Sequence, residues 1–168
     1  MYFGVYEIRP LKKTEWDKAM QLVWDTFMMF EAPEYETDGI ISFRSFIKDP
    51  LLKKMFINGG YRTLAAFDRG VVVGMAGLRK NNHLSLLFVD GEYQHKGIGS
   101  CLLRELSSYI YHELGQREMT VNASSYGRAF YEKLGFEKTS EELKTDGIIY
   151  TPMKLILNET NARGRTNR

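Results

Sequence analysis

Several features that mark well-known classes of protein are scarce or missing in this sequence. There is one cysteine, Cys101, so no disulfide can form within the chain, which agrees with a reducing compartment. The three histidines lack the spacing to acidic or cysteine residues that metal sites use. No apolar run reaches the roughly 18 residues of a membrane span, and the first residues lack the basic-then-apolar pattern of a signal peptide. We therefore expect a cytoplasmic protein with no metal and no membrane association.

A large excess of charge of one sign is missing as well. The 168 residues have a formal net charge of +2, and the last eleven residues, with three arginines and one glutamate, account for the same value. The rest of the chain is therefore close to neutral, which gives no reason to expect a nucleic-acid partner. Since 43% of the residues are hydrophobic and 26% charged, we expect a single domain over residues 1–157 and a disordered basic tail over residues 158–168.

The most informative stretch is a glycine-bearing loop between an apolar run that ends at Val89 and an apolar-periodic segment that begins at Ile98. Gly97 and Gly99 let the backbone approach a ligand closely, and the unpaired N–H groups of a helix start would face the loop. Such a loop binds phosphate, and neighbouring basic side chains can add donors. An ordinary turn before a helix has the same residues, so the loop alone leaves both interpretations open.

Two nucleotide-binding motifs do not fit this loop. A phosphate loop of the nucleotidases requires Gly-Lys-Ser/Thr, which does not follow here, and the dinucleotide fingerprint requires a third glycine where Leu102 stands. A nucleotide-binding protein is therefore disfavoured. The Gly-x-Ser-x-Gly motif of serine hydrolases is also absent.

The pattern Gln94-x-x-Gly97-x-Gly99 after a strand resembles the acetyl-CoA loop of the GNAT superfamily of N-acetyltransferases, whose usual pattern is Gln/Arg-x-x-Gly-x-Gly/Ala. A second block, Ala-Phe-Tyr-Glu-Lys-Leu-Gly-Phe at residues 129–136, is similar to the superfamily's helix that ends in Phe-Tyr-x-x-x-Gly-Phe. The blocks lie in the expected order, with a helix and a strand between them. The resemblance covers roughly residues 5–157 and implies a GNAT-like α+β fold, with αβα layers and helices on both faces of a mixed central sheet.

Hydrophobic periodicity predicts the elements of such a fold. Strands are expected over residues 6–9, 64–67, 71–78, 83–89, 119–122 and 148–157, and helices over residues 15–29, 40–48, 98–114 and from 126 or 127 to 134. Thr14 and Asp17 are expected to cap the first helix. Pro152 indicates an edge strand or a bulge. Cys101, in the first turn of the helix after the loop, is either a small packing residue or a nucleophile of low pKa.

The resemblance also implies a reaction, in which acetyl-CoA is the cosubstrate and its acetyl group passes directly to a primary amine of a small molecule or a protein. Backbone N–H groups of the loop would hold the diphosphate, and the backbone of the preceding strand would pair with the pantetheine and face the thioester oxygen. The residues that this implies are Leu87, Phe88, Val89, Gln94, His95, Lys96, Gly97, Ile98, Gly99 and Ser100.

Three further residues are assigned by the same resemblance. Tyr131 aligns with the tyrosine that protonates the leaving thiolate, although it could instead only pack beside the sulfur. Asn122 and Ser124 are expected to hydrogen-bond the pantetheine or the sulfur region; a strand-end asparagine and a helix-capping serine are the alternative interpretations.

The acceptor side remains open at this point. Candidates for the general base are Glu31, Glu34, Glu36 and Glu92, or water alone. The first three lie in a predicted acidic loop over residues 30–39, which either attracts a cationic amine or is simply solvated. The chain is expected to be a monomer or a homodimer, and the alternative to an enzyme is a non-catalytic acyl-CoA-binding or regulatory module of the same fold.

Overall fold

A mixed sheet forms the centre of the molecule in the computed structural model, which describes residues 1–164. Along the described chain the strands are β1 (Tyr2–Phe3), β2 (Tyr6–Arg9), β3 (Arg62–Asp68), β4 (Val71–Arg79), β5 (His83–Val89), β6 (Glu118–Ala123), β7 (Glu137–Lys138), β8 (Leu143–Thr145) and β9 (Ile148–Ile156). Their order across the sheet is β1-β2-β3-β4-β5-β6-β9-β7, and β8 also pairs with β9. The six predicted strands are confirmed as β2 to β6 and β9. The other three are too short to give a period-2 pattern.

Helices cover both faces of the sheet. They are α1 (Trp16–Phe30), α2 (Thr37–Ile47), α3 (Pro50–Ile57), α4 (Ile98–Ser108) and α5 (Arg128–Lys133). Buried residues of α1, α2 and α3 form one core with β3 to β5, whereas those of α4 and α5 form a second core with β3 to β6 and β9. Because side chains alternate along a strand, the adjacent residues Ala65 and Ala66 enter different cores. The predicted αβα layers are confirmed. Within residues 1–164, none of the helices has the length and apolarity needed to cross a bilayer.

A gap opens in the sheet between β5 and β6, the parallel pair. Only two register pairs join them, His83 with Thr120 and Leu84 with Val121. Beyond these, β5 stays paired with β4 as far as Val89, and β6 stays paired with β9. The two strands therefore separate after Leu84 and leave a wedge-shaped space between their free edges.

A buried tyrosine supports the place where the gap begins. The register between β4 and β5 shifts between Gly77 and Leu78. The hydroxyl of Tyr61 lies 2.7 Å from Oγ of Ser85, which itself donates to the carbonyl of Gly77 at 3.4 Å. A Cβ atom at position 77 would overlap the Tyr61 hydroxyl, so glycine is required. Register irregularities of this kind increase the local twist, and this one lies next to Leu84, the last residue of β5 that pairs with β6.

The start of α1 differs from the prediction. A 3-10 turn, Lys13–Glu15, precedes the helix, and the carboxylate of Glu15 accepts the N–H of Lys12 at 2.7 Å. The predicted capping pair of Thr14 and Asp17 is therefore wrong, because Thr14 lies inside this turn and Glu15, not Thr14, precedes the first residue of α1.

Two other helical predictions change in detail. The helix expected over residues 98–114 is α4 followed by a π-helical turn, Tyr109–Glu113, after which Gly115 adopts a φ of +65°. The sequence pattern missed α3, which begins at Pro50 where the carboxylate of Asp49 accepts the N–H of Leu51 at 2.9 Å. Cys101 is 1% exposed in the core under α4, so the interpretation as a packing residue is confirmed.

Pro152 lies in an interior strand, so its predicted place on an edge strand is wrong. Strand β9 pairs with β6 on one side and with β7 and β8 on the other. The Pro152 carbonyl accepts the N–H of Thr139, the residue after β7, at 2.8 Å. Proline has no N–H, and here that position falls between the part of β9 that pairs with β7 and the part that pairs with β8. The missing N–H is therefore at the place where the sheet loses least.

The described part of the C-terminal segment, which the sequence predicts to be disordered from residue 158, makes contacts with the rest of the chain and within itself. Oδ1 of Asn158 accepts the N–H groups of Thr160 and Asn161 at 2.9 and 3.0 Å, and Ala162 is fully buried. Residues 165–168, the remainder of the expected tail, lie outside the described residues.

Candidate active site

A cleft of about 1080 Å³ occupies the gap between β5 and β6 and extends over the α1 face of the sheet. Its lining includes every residue of the expected acetyl-CoA site except Lys96, which is exposed and lies outside it. The lining residues that the sequence predicted are Leu87, Phe88, Val89, Gln94, His95, Gly97, Ile98, Gly99, Ser100, Asn122, Ser124 and Tyr131. The fold therefore brings together two sequence blocks that are separated along the chain by α4 and β6.

The free edge of β5 offers backbone groups to this cleft at alternate residues. Asp90 donates its N–H to the carbonyl of Val73 of β4 at 2.9 Å. In an antiparallel ladder every second pair is hydrogen-bonded, so the next such pair is Phe88 with Met75. The N–H and C=O of Leu87 and Val89 consequently face away from β4, into the gap. Phe88 contributes its side chain to the cleft, but its backbone faces β4, so the expected backbone pairing with a ligand is wrong for this residue.

The loop before α4 is shaped for an anion. His95 and Gly97 adopt positive φ angles of 62° and 86°, and the N–H of Cys101 is the first to bond within the helix, to the Gly97 carbonyl at 3.0 Å. The three preceding N–H groups, those of residues 98–100, have no partner inside the helix and point out of its N-terminus. Left-handed backbone beside a helix start is a common way to gather N–H groups around an anionic oxygen.

The side chain of Gln94 holds this loop in place. Its Nε2 donates to the carbonyl of Val89 at 2.9 Å, and its Oε1 accepts the hydroxyl of Tyr126 at 2.8 Å. The Tyr126 ring stacks on Phe30 at the end of α1, with centroids 5.3 Å apart. Gln94 thus connects the loop to both sides of the cleft mouth, and its side-chain amide is occupied by protein groups.

Tyr131 lies at the floor of the cleft, 8% exposed. Its ring meets Phe130 and Phe136 edge-on, with centroids 5.2 and 5.4 Å apart. Burial, and after it the nearby carboxylate of Glu31, raises the pKa of Tyr131 above that of an ordinary phenol. The phenol therefore stays protonated at neutral pH, and the two aromatic contacts pack its ring.

Of the four carboxylates considered as a base, the fold brings only Glu31 into the cleft lining of the described chain. Burial raises the pKa of Glu31 above that of an ordinary carboxyl group, and the hydrogen bond with Ser124 opposes this shift. Glu34 and Glu92 are exposed outside the lining, and Glu36 forms an ion pair with a lysine of β8 at 3.1 Å. A carboxyl group with a raised pKa is better matched to accepting a proton near neutral pH.

Ser124 lies close to Glu31 and contacts the residue before α5. Its Oγ accepts the N–H of Gly127 at 3.0 Å, but no side chain caps the helix itself. Ser124 also lines the cleft, and its expected role toward the pantetheine or the sulfur stays a prediction.

The sequence pattern did not indicate the other half of the cleft, which we call the acceptor half. It is bounded by α1, α2, β5 and the β8–β9 hairpin, and its lining includes Phe27, Tyr35, Ser42, Phe43, Phe46, Arg79, His83, Ser85, Phe88, Thr145, Asp146, Ile148 and Tyr150. Burial lowers the pKa of His83, and the positive charges of Arg79 and Lys80 lower it further, so this imidazole is neutral at neutral pH. Within residues 1–164, no cluster of histidine, cysteine and carboxylate side chains could hold a metal ion.

Comparison with known proteins shows the family of this chain. The family model described as the acetyltransferase (GNAT) domain matches residues 31–157, most of the chain. The chain therefore belongs to the GNAT acetyltransferase family. It is 33% identical over 64 residues to the uncharacterized N-acetyltransferase YafP of Escherichia coli, a stretch that covers 38% of this chain and 39% of that protein.

Solved structures have the same fold over nearly the whole chain. A GCN5-related N-acetyltransferase from Rhodopseudomonas palustris superposes with a TM-score of 0.79 at 22% identity, over 94% of this chain and 99% of that one. The PaiA N-acetyltransferase of Thermoplasma acidophilum, solved in complex with coenzyme A, superposes with a TM-score of 0.75 at 25% identity, over 90% of this chain and 98% of that one.

Proposed function

We propose that this protein is an N-acetyltransferase that transfers the acetyl group of acetyl-CoA directly to a primary amine. The observation that carries the proposal is the arrangement of three elements in one cleft. These are a strand edge with free backbone groups, an anion-binding loop at its end, and a buried tyrosine beside a carboxylate.

The residues present fit acetyl-CoA. The N–H groups of residues 98–100 would hold the diphosphate. One of the two free N–H groups of β5, those of Leu87 and Val89, would pair with the pantetheine arm in β fashion, and the other would face the thioester. The PaiA N-acetyltransferase of Thermoplasma acidophilum, which has the same fold, was solved in complex with coenzyme A, and this supports acetyl-CoA as the ligand of the cleft. Acetyl-CoA supplies an activated thioester. The chain itself then has to orient the ester, stabilise negative charge and move protons.

The backbone N–H of Val89 or Leu87 would stabilise the negative charge that develops on the thioester oxygen. Glu31 would take the proton that the amine loses as its nitrogen bonds to the acetyl carbon. Tyr131 would give its phenol proton to the sulfur as the carbon–sulfur bond breaks. The phenol then regains a proton from Glu31, directly or with solvent carrying it, so both groups return to their starting states.

The place of the cysteine supports direct transfer over passage of the acetyl group through a cysteine of the protein. An acyl-enzyme route needs a reachable nucleophile. Cys101 is buried in the core under α4 and is not part of the cleft lining. The amine would therefore attack the bound thioester itself.

Single-turnover acetyl transfer by Tyr131→Phe tests this function. The variant keeps the ring and its packing, so acetyl-CoA affinity should stay within about threefold, since a buried ring of the same shape is retained. Transfer should slow about 100-fold, the low end for a general acid, because a thiolate leaves fairly well unaided. If transfer matches the parent, Tyr131 is only a packing residue. If acetyl-CoA binds but no amine is acetylated by the parent, the regulatory-module alternative is the better description.

A further inference from the structure

A bridge of contacts closes over one side of the acceptor half of the cleft. It joins the first turn of α2 and the residues before it to the tip of the β8–β9 hairpin. Gly39 and Gly147 meet at its centre. A Cβ atom on Gly39 would overlap the carbonyl oxygen of Gly147, and Gly147 has a φ of +80°. The two segments approach this closely only because both residues are glycine.

Three further contacts reinforce this α2–hairpin bridge. Ser42 Oγ donates to the carbonyl of Asp146 at 2.7 Å, and the Tyr35 hydroxyl donates to the carbonyl of Ile149 at 3.2 Å. The ammonium of Lys144 also lies 3.1 Å from the carboxylate of Glu36. Tyr35, Ser42 and Asp146 line the cleft themselves, so the bridge is part of its wall. The segments that the bridge joins are thereby held together at this side of the acceptor half.

The wall of the acceptor half is largely aromatic. Phe43 stacks on Phe27 with ring centroids 4.1 Å apart, and it lies 5.8 Å from Phe88. Phe27 in turn stacks on Tyr35, with centroids 5.5 Å apart. The rings of such a wall gain free energy by covering a flat apolar group, and polar side chains such as Ser42, Ser85 and Asp146 lie among them.

The formal charges around the cleft balance. The carboxylates in the described lining are Glu31 and Asp146, and the basic side chains are Arg79 and Lys133. A ligand with one ammonium group can place it at Glu31, beside the reacting thioester. A polyamine would bring further charges for which the wall has no surplus of carboxylates, and buried unpaired charge is strongly unfavourable.

We infer that the acceptor is a small primary amine with one cationic group on an apolar, ring-bearing body, and that the α2–hairpin bridge excludes lysines of proteins. This inference rests on the proposed N-acetyltransferase function and adds the class of acceptor to it.

The test compares three amines by the rate at which free thiol is released from acetyl-CoA. They are 2-phenylethylamine, spermidine, and a lysine in the middle of a peptide with a blocked N-terminus. We expect kcat/KM for 2-phenylethylamine to exceed that for spermidine about 10-fold and that for the peptide about 100-fold, which is the scale of discrimination by pocket shape and unpaired charge.

Variants then test the bridge. Gly39→Ala must push the two segments apart, and it should raise kcat/KM for the peptide about 10-fold relative to 2-phenylethylamine by opening the wall. Gly60→Ala is the matched control, because its Cβ would meet only the Met55 carbonyl at 3.6 Å. If Gly39→Ala does not fold, the double variant Ser42→Ala/Lys144→Glu removes two surface contacts of the bridge without touching the core, and it should shift the ratio in the same direction.

The possible results distinguish failure of the acceptor class from failure of the N-acetyltransferase function. Equal use of the peptide and 2-phenylethylamine by the parent, or a preference for spermidine, would overturn the acceptor class and leave the N-acetyltransferase intact. An unchanged ratio in a folded bridge variant would overturn the role of the bridge. If no amine is acetylated although acetyl-CoA binds, the proposed function fails and the inference fails with it.

Discussion

Replacing Gly77 with alanine tests the packing of Tyr61 at the place where β5 and β6 separate. The new Cβ would overlap the hydroxyl and ring of Tyr61, which is 1% exposed and meets the Trp16 ring edge-on at 6.0 Å, so the tyrosine has little room to move. Overpacking of this kind costs about 1–3 kcal/mol, and loss of the hydrogen bond to Ser85 adds about 1 kcal/mol. We therefore expect Gly77→Ala to lower the free energy of unfolding by about 2–4 kcal/mol.

Urea unfolding followed by tryptophan fluorescence measures this change, because Trp16 adjoins the altered site. Gly60→Ala is the control and should stay within about 0.5 kcal/mol of the parent. Adding Tyr61→Phe removes the first atom that the Cβ meets, so the double variant should lose less stability than the sum of the single changes. A Gly77→Ala protein within about 0.5 kcal/mol of the parent would refute the packing argument.

Two further predictions concern carboxylates. Hydrogen bonds of 2.9 Å from Arg9 lower the pKa of Glu15 from 4.5 to about 2. The stabilisation from this ion pair is present above the unfolded pKa and is lost as the pH falls towards 2. Glu15→Gln should therefore lower the free energy of unfolding in urea by about 1 kcal/mol at pH 7 and by little at pH 2.5. An equal loss at both pH values would contradict this prediction. Burial raises the pKa of Glu31, so its charge opposes folding above the unfolded pKa. Glu31→Gln should therefore raise the melting temperature more at pH 8 than at pH 4, unlike the exposed control Glu34→Gln, and a pH-independent change would argue against burial of the charge.

The glycine-bearing loop before α4 could be predicted from the sequence because its signal is local. A strand, a residue pattern ending in Gly97 and Gly99, and a helix follow one another within about 25 residues, and the left-handed backbone at Gly97 is what a glycine at that position favours. Tyr131 could be placed for a similar reason, since its block spans one helix and its capping glycine.

The acceptor half of the cleft could not be predicted, because its residues meet only in the folded chain. Phe27 and Tyr150 come from opposite ends of the sequence, and each alone is an ordinary apolar position in a helix or strand. The choice of Glu31 among four carboxylates likewise depends on the distance between the end of α1 and the start of α5. Phe88 shows the limit at finer scale, since only the β4–β5 register reveals which backbone groups of β5 are free.

The central claim, that the gap after Leu84 and the loop before α4 hold acetyl-CoA, is tested most directly by calorimetric titration of the folded protein with acetyl-CoA. We expect binding at one site, and a gain in stability of roughly 2.7 kcal/mol when the ligand is at 100 times its dissociation constant. Gly99→Glu should abolish this binding, because its carboxylate would face the diphosphate, while its Cβ makes only ordinary contacts, the nearest with Phe130 at 3.4 Å, and spares the core. No binding to the folded parent, or unchanged affinity in a folded Gly99→Glu variant, would contradict the account.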